Sequence, residues 1–176
     1  MQAIAFTGPV RSGKDTAADY LVEKHGFKKI VMSDFLGEEL AKQGRPDTKM
    51  ERSIIGKELR QKFGKGIVAR KSLEKAKGKG FEKVVFAGPR SIAEIGFFKK
   101  KLESFKLIAI KAGPEKRFAR KSSQDEQTKE KFFERDKWEK EKFEISQVIE
   151  MADHTIENNS TIDDFHRAID EAIQKI

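Results

Sequence analysis

The sequence predicts an α/β fold: a single domain over residues 1–176, built on a five-stranded parallel sheet with helices on both faces. Three observations lead there. Short apolar runs alternate with amphipathic stretches along the chain, and strands that alternate with helices pack as a parallel sheet between helical layers. The first apolar run enters a glycine-rich turn and then a helical pattern, "AIAFTGPVRSGKDTAADYL". The last stretch keeps Ile162, Phe165, Ile169, Ile173 and Ile176 on one helical stripe, which has to lie against a core.

Taken in order, the strand candidates are Ala3–Phe6, Ile30–Met32, Val84–Phe86, Leu107–Ile110 and His154–Ile156. Each is short, and most are followed by a turn residue or a polar cluster. After the first strand, Ala17, Tyr20, Leu21 and the stem of Lys24 follow one helical face. Residues 35–80 have room for two or three helices with no strand between them, too much for a simple crossover. Ser91 and Glu94 form a capping box after the third strand, ahead of a stripe of Ile92, Ile95, Phe98 and Leu102. Residues 121–131, "KSSQDEQTKEK", hold no apolar side chain and read as a mobile lid or a disordered loop within a lid region at 115–140.

Composition narrows the class. A chain of 176 residues can bury one good core and is short for two. No run approaches the roughly 18 apolar residues of a membrane span. The N-terminus enters an apolar strand directly, without a basic leader, so no cleavable signal and a cytoplasmic location are expected. Cysteine is absent, which excludes disulfides and thiolate–metal sites. His25, His154 and His166 are scattered without ligand spacing. Charged residues make up 38% of the chain with a net +8, open to two explanations. One is an anionic partner; the other is a heat-adapted surface of interleaved Lys and Glu. Only 57–83 is clearly basic, and no module that reads a nucleic-acid groove matches it.

The glycine-rich turn carries the chemistry. Gly8-x-x-x-x-Gly13-Lys14 follows a strand and opens a helix, the context of a phosphate-binding loop of Walker A type. The glycines let consecutive N–H groups, those of Arg11 and Ser12 among them, turn toward phosphate oxygens. The helix N-terminus adds partial positive charge, and Lys14 spans the β and γ phosphates. The residue after the lysine is normally Ser or Thr, which binds magnesium; here it is Asp15. A carboxylate is a good hard ligand for Mg²⁺, so Asp15 could take that place, with Thr16 left for a phosphate oxygen.

"GPVRSGKDTAADYL" resembles the P-loop of phage-type deoxynucleoside monophosphate kinases, and "SGKD" also recurs in animal-type phosphomevalonate kinases. Along the whole chain, "IVMSDFLGEELAKQG", "GKELRQKFGKGIVAR", "VVFAGPRSIAEIGFF", "GPEKRFAR", "FFERDKWE" and "VIEMADHTIENNSTIDDF" resemble, in order, the adenylate-kinase-related, dephospho-CoA-kinase-like proteins. This resemblance implies a three-layer P-loop NTPase fold like that of nucleoside monophosphate kinases. It also implies use of ATP and Mg²⁺, a helical acceptor-binding insertion at 35–80 and a closing lid.

The resemblance assigns roles residue by residue. Asp34 would stand opposite the γ-phosphate, holding magnesium or accepting a proton; otherwise it caps the helix that follows. Arg60 would grip the acceptor phosphate, or be a solvated helix arginine. Arg90 ends "AGPR" at the carboxyl edge of the sheet, where open α/β folds bind ligands, or else only pairs with a nearby carboxylate. Arg117, Arg120 and Arg135 would be lid arginines neutralising the transferring phosphoryl group, although a basic solvated face would look the same. Asn158 would lie beside the adenine ring, or belong to a turn capping the next helix. Two positions depart from the pattern: Ala87 stands where an Asp is usual, and Gly37 where an Arg is expected. One coherent reading lets Asp15 supply the carboxylate that Ala87 lacks. The expected function is transfer of the γ-phosphoryl of Mg·ATP to a small phosphorylated acceptor, first a (deoxy)nucleoside monophosphate and next dephospho-CoA. The rivals are a nucleotide-binding regulator without chemistry and, more distantly, a nucleic-acid-associated NTPase.

Overall fold

Strand β1 (Gln2–Thr7) sits at the centre of the sheet, buried from Ala3 onward because helices cover both of its faces. With β2 (Lys28–Val31), β3 (Lys83–Ala87), β4 (Ser104–Lys111) and β5 (His154–Glu157) it forms a five-stranded sheet in the order β2-β3-β1-β4-β5. Every pairing is parallel, with Ile4 opposite Val85 on one side and Lys106 on the other. The five predicted strands are the five observed. Met32 alone falls outside, just past β2, where its N–H still donates to the Ala87 carbonyl at 3.2 Å. The structure, a computed structural model, describes residues 1–121, 128–142 and 144–175, and their side chains except at 49 and 139–142.

The helices are α1 (Lys14–His25), α2 (Asp34–Lys42), α3 (Lys49–Phe63), α4 (Ile67–Gly78), α5 (Ile92–Lys101), α6 (Pro114–Ala119), α7 (Lys129–Lys142), α8 (Ile145–Glu150) and α9 (Ile162–Gln174). Helices α2, α3 and α4 fill the long stretch between β2 and β3, as its length predicts. Alternation along β1 divides the core. Ala3 and Ala5 face α2, α3, α4, α5 and α8; Ile4 and Phe6 face α1 and α9. On the first face Phe98 of α5 stacks between Phe86 and Phe105, with centroids 4.4 and 5.2 Å apart. Truncating such a buried ring costs about 3–5 kcal/mol.

Some details differ from the pattern. Ile92 and Ile162, placed on the buried stripes, are 37% and 52% exposed. Each is the first residue of its helix, ahead of the turns that reach the sheet. The capping box is half built: Ser91 Oγ accepts from the Glu94 N–H at 3.3 Å, but the Glu94 carboxylate accepts from the Arg90 N–H at 2.8 Å. Ile176 and residues 122–127 of the expected lid lie outside the described residues. Among those described, no helix is long and apolar enough to cross a membrane.

Candidate active site

Strand order decides where a ligand can enter. The neighbours of β1 are β3 and β4, so the chain winds away from it in both directions, and a crevice opens at its carboxyl end. Residues 8–13 turn there from β1 into α1. Gly8 has φ 141° and Gly13 φ 109°, the region that favours glycine. Space requires it too. A Cβ at Gly8 would collide with the Ile110 carbonyl, and one at Gly13 with the Asn158 amide. Gly13 caps α1 without any side-chain bond, so the first N–H groups of α1 remain available at the crevice. Ser12 is fully buried, and its Oγ has no partner among the described residues. Lys14 folds over the loop, its Nζ donating to the Pro9 carbonyl at 2.6 Å. Positive-φ glycines, uncapped helix N–H groups, an orphaned hydroxyl and an ammonium in one turn fit a polyphosphate.

The loop is braced from behind. Asn158, at the end of β5, donates from Nδ2 to the Ser12 carbonyl at 2.9 Å. Its own carbonyl and Oδ1 accept from Arg120 Nη2 at 2.8 and 3.1 Å. Arg120 Nη1 adds a bond to the Ser12 carbonyl at 3.3 Å. Arg117 is 2% exposed and lies inside, not on an open lid. It donates to the Ala112 and Val10 carbonyls at 3.1 Å each, and both oxygens of Asp136 on α7 accept from it at 2.6 and 2.7 Å. Four of its five N–H groups are thereby committed. Phe132, one turn before Asp136, lies 4.7 Å below the Arg11 guanidinium and 5.7 Å from that of Arg117. Arg11 itself has a positive φ of 57°.

With 34% identity, the chain aligns over 98% of its length with 99% of a UPF0200 protein of Thermococcus kodakarensis. The chain belongs to the UPF0200 family. A UPF0200/UPF0201 protein of Archaeoglobus fulgidus is 36% identical, and the chain spans 56% of that relative's length. No protein-family model matches the chain. Among solved structures, shikimate kinase from Bacteroides thetaiotaomicron superposes with a TM-score of 0.65 at 14% identity, covering 99% of this chain and 97% of that one. Dephospho-CoA kinase from Campylobacter jejuni gives 0.59 at 20%, with the same coverage. At such identities the likeness shows the fold, that of P-loop kinases.

The remaining candidate residues are carried by α1, α2, α3, α7 and the turn between β3 and α5. Asp34 is exposed and is the first helical residue of α2; it is not a cap, since Ser33 holds that position. A carboxylate there is favoured by the helix dipole. Arg60 of α3 reaches Glu94 at 3.4 Å, and Glu94 is 2% exposed. Arg90 is exposed between β3 and α5, with its backbone N–H on Glu94. Arg135 is half-buried on α7, beside Asp136 in sequence. Thr16 is exposed in the first turn of α1. Asp15 turns sideways to Lys29 of β2, at 3.2 Å, and Asp19 meets the same ammonium at 2.9 Å. Burial works against the charged form of Lys29, but the bond to Asp19 and the charge of Asp15 outweigh it, and its pKa is raised. Ala87 is packed into the core under α1.

Asn158 therefore does not cap the following helix. Thr161 does, its Oγ1 accepting from the Asp164 N–H at 3.2 Å. Sequence reasoning missed Phe132, Asp136, Glu94 as a buried anion, and Arg52. The signals were faint. Phe132 and Asp136 share a face of α7 at i, i+4, and Arg52, Gly56 and Arg60 repeat at four-residue spacing along α3.

Proposed function

We propose that the protein is a phosphotransferase that moves the γ-phosphoryl group of Mg·ATP onto a small phosphorylated acceptor, a (deoxy)nucleoside monophosphate in the first instance. The observation that carries this reading is the loop at 8–14. Its backbone angles and close packing admit only glycine at two positions, and its amides and one ammonium gather at the sheet edge. The fold shared with P-loop kinases supports it.

In this reading Lys14 leaves the Pro9 carbonyl for the β and γ phosphates, a trade of a neutral acceptor for a charged one. The loop amides would hold the phosphates while Asn158 and Arg117 fix the Ser12 and Val10 carbonyls behind them. Arg117 acts as a positioning residue, while exposed Arg120 can exchange its loop carbonyls for a phosphoryl oxygen. Asp15 and Asp34 are the carboxylates that would hold Mg²⁺. Among the described residues no three acidic or histidine side chains gather, and Mg²⁺ is ordinarily bound by one or two carboxylates together with substrate phosphates. Bound there, the ion would neutralise charge on the β and γ oxygens. Arg60 and Arg90 would hold the acceptor, with Arg135 approaching from the lid side.

The deciding experiment incubates the protein with Mg·ATP and a panel of monophosphates, dephospho-CoA and phosphomevalonate, and looks for a new phosphorylated product. Binding of Mg·ATP with no product from any acceptor would favour the regulatory rival. An Asp34→Asn variant then sorts acceptors. A hydroxyl needs a base and should lose nearly all turnover, about 100-fold or more, whereas an ionised phosphate should lose less. Asp15→Ala should lower turnover at limiting Mg²⁺ and leave the fold intact; unchanged turnover would remove Asp15 from the metal site.

A further inference from the structure

The glycine at 37 is occupied from outside. A Cβ there would stand 3.0 Å from both Arg52 Nη2 and Asp47 Oδ2. Arg52 reaches across from α3 and lies flat against α2, its Nε and Nη2 donating to Asp47 at 2.5 and 2.7 Å. Its Nη1 points to the Ser33 carbonyl at 3.4 Å, one residue before Asp34. Asp47 thus takes the side edge of the guanidinium. The end edge, with one N–H from each terminal nitrogen, stays clear of that carboxylate, and the side chain is 32% exposed.

We propose that Arg52 binds an oxyanion of the acceptor, in the form of a phosphate monoester, beside Asp34. The inference rests on the kinase reading above and adds a residue to it. Because residue 37 has no side chain, α2 leaves space that the Arg52 guanidinium enters from α3. Asp47 holds the planar fork in one orientation, which lowers the ordering cost of binding. Arg60, two turns further along the same helix, makes a single longer contact with Glu94, at 3.4 Å. Helix α3 therefore carries two arginines, each in contact with a carboxylate.

The test fills the phosphate loop with Mg²⁺ and a non-hydrolysable ATP analogue, then titrates inorganic phosphate while following the Arg52 Nε–H resonance. A saturable shift is expected. Arg52→Met should weaken phosphate binding about tenfold or more, and Arg52→Lys less. Gly37→Ala should weaken it too, with analogue affinity unchanged in all three. Asp47→Asn keeps the guanidinium and loses its brace, so it should melt lower yet retain most phosphate binding. A static resonance, or parental phosphate affinity in Arg52→Met, overturns the proposal and leaves Arg52 a tie between α3 and α2. Failure of the analogue to bind strikes the kinase reading instead, and the same phosphate titration of Arg52 still decides this one.

Discussion

The two sides of the crevice handle charge in opposite ways. Behind the glycine loop the Arg117–Asp136 pair is buried: Arg117 is 2% exposed, and two carbonyls and both oxygens of Asp136 hold it. On α3, Arg52 and Arg60 are 32% and 31% exposed, and each leans on a carboxylate. The difference is one of cost. Leaving a buried charge unpaired is expensive, so the loop is held in one geometry before any ligand arrives. The Arg52–Asp47 pair, open to solvent on both sides, gains little from pairing, so it can rearrange around a ligand. In the proposed reading, the loop side is built for fixed shape and the α3 side for exchange.

The largest break of this contrast is Asp136→Ala. It strands the Arg117 guanidinium in the interior and should cost about 3–5 kcal/mol by denaturant unfolding, with nucleotide affinity falling alongside. A loss below about 1 kcal/mol would mean that the pair is solvated and the loop is not braced this way. Next comes Asn158→Ala, which removes the amide from the Ser12 carbonyl at a cost of about 1–3 kcal/mol. Calorimetry should show weaker binding of ATP, and the unfolding slope with denaturant should not change.

The smallest effect lies on the open side and depends on pH. The bond from Arg52 holds the Asp47 carboxyl below its ordinary value of 3.8. A lowered folded pKa adds stability that is complete above the unfolded value and disappears as pH falls through the folded one. The melting gap between the parent and Asp47→Asn should therefore be flat from neutral pH to about 5 and close below the ordinary carboxylate range. A gap that persists in acid would show that Asp47 acts through packing.

The sheet and the loop were legible because they obey local rules. A buried strand must be apolar, and a turn that needs positive φ must be glycine, so β1 through β5 and Gly8 and Gly13 announce themselves. The bracing was not. Asp136 reads as one more charge in "FFERDKWEKEK", since nothing in that stretch shows that Arg117 lies opposite. Asn158 and Ser12 are 146 positions apart, and "ENNS" alone suits a turn equally well. Glu94 fits a capping box by spacing, yet its carboxylate turns to Arg90 because the strand edge puts that N–H within reach. In sequence Gly37 reads as a lost arginine, whereas the fold sets Arg52 against it.

From the sequence alone came the layered α/β class, the five strands, two or three helices between the second and third, and a glycine-rich turn after the first. Tertiary structure alone decided the strand order, the crevice beside β1, and which cation meets which anion. Apolar periodicity and backbone angles are properties of neighbouring residues. Charge pairing joins residues far apart in the chain, and its strength depends on burial that only the packed molecule sets.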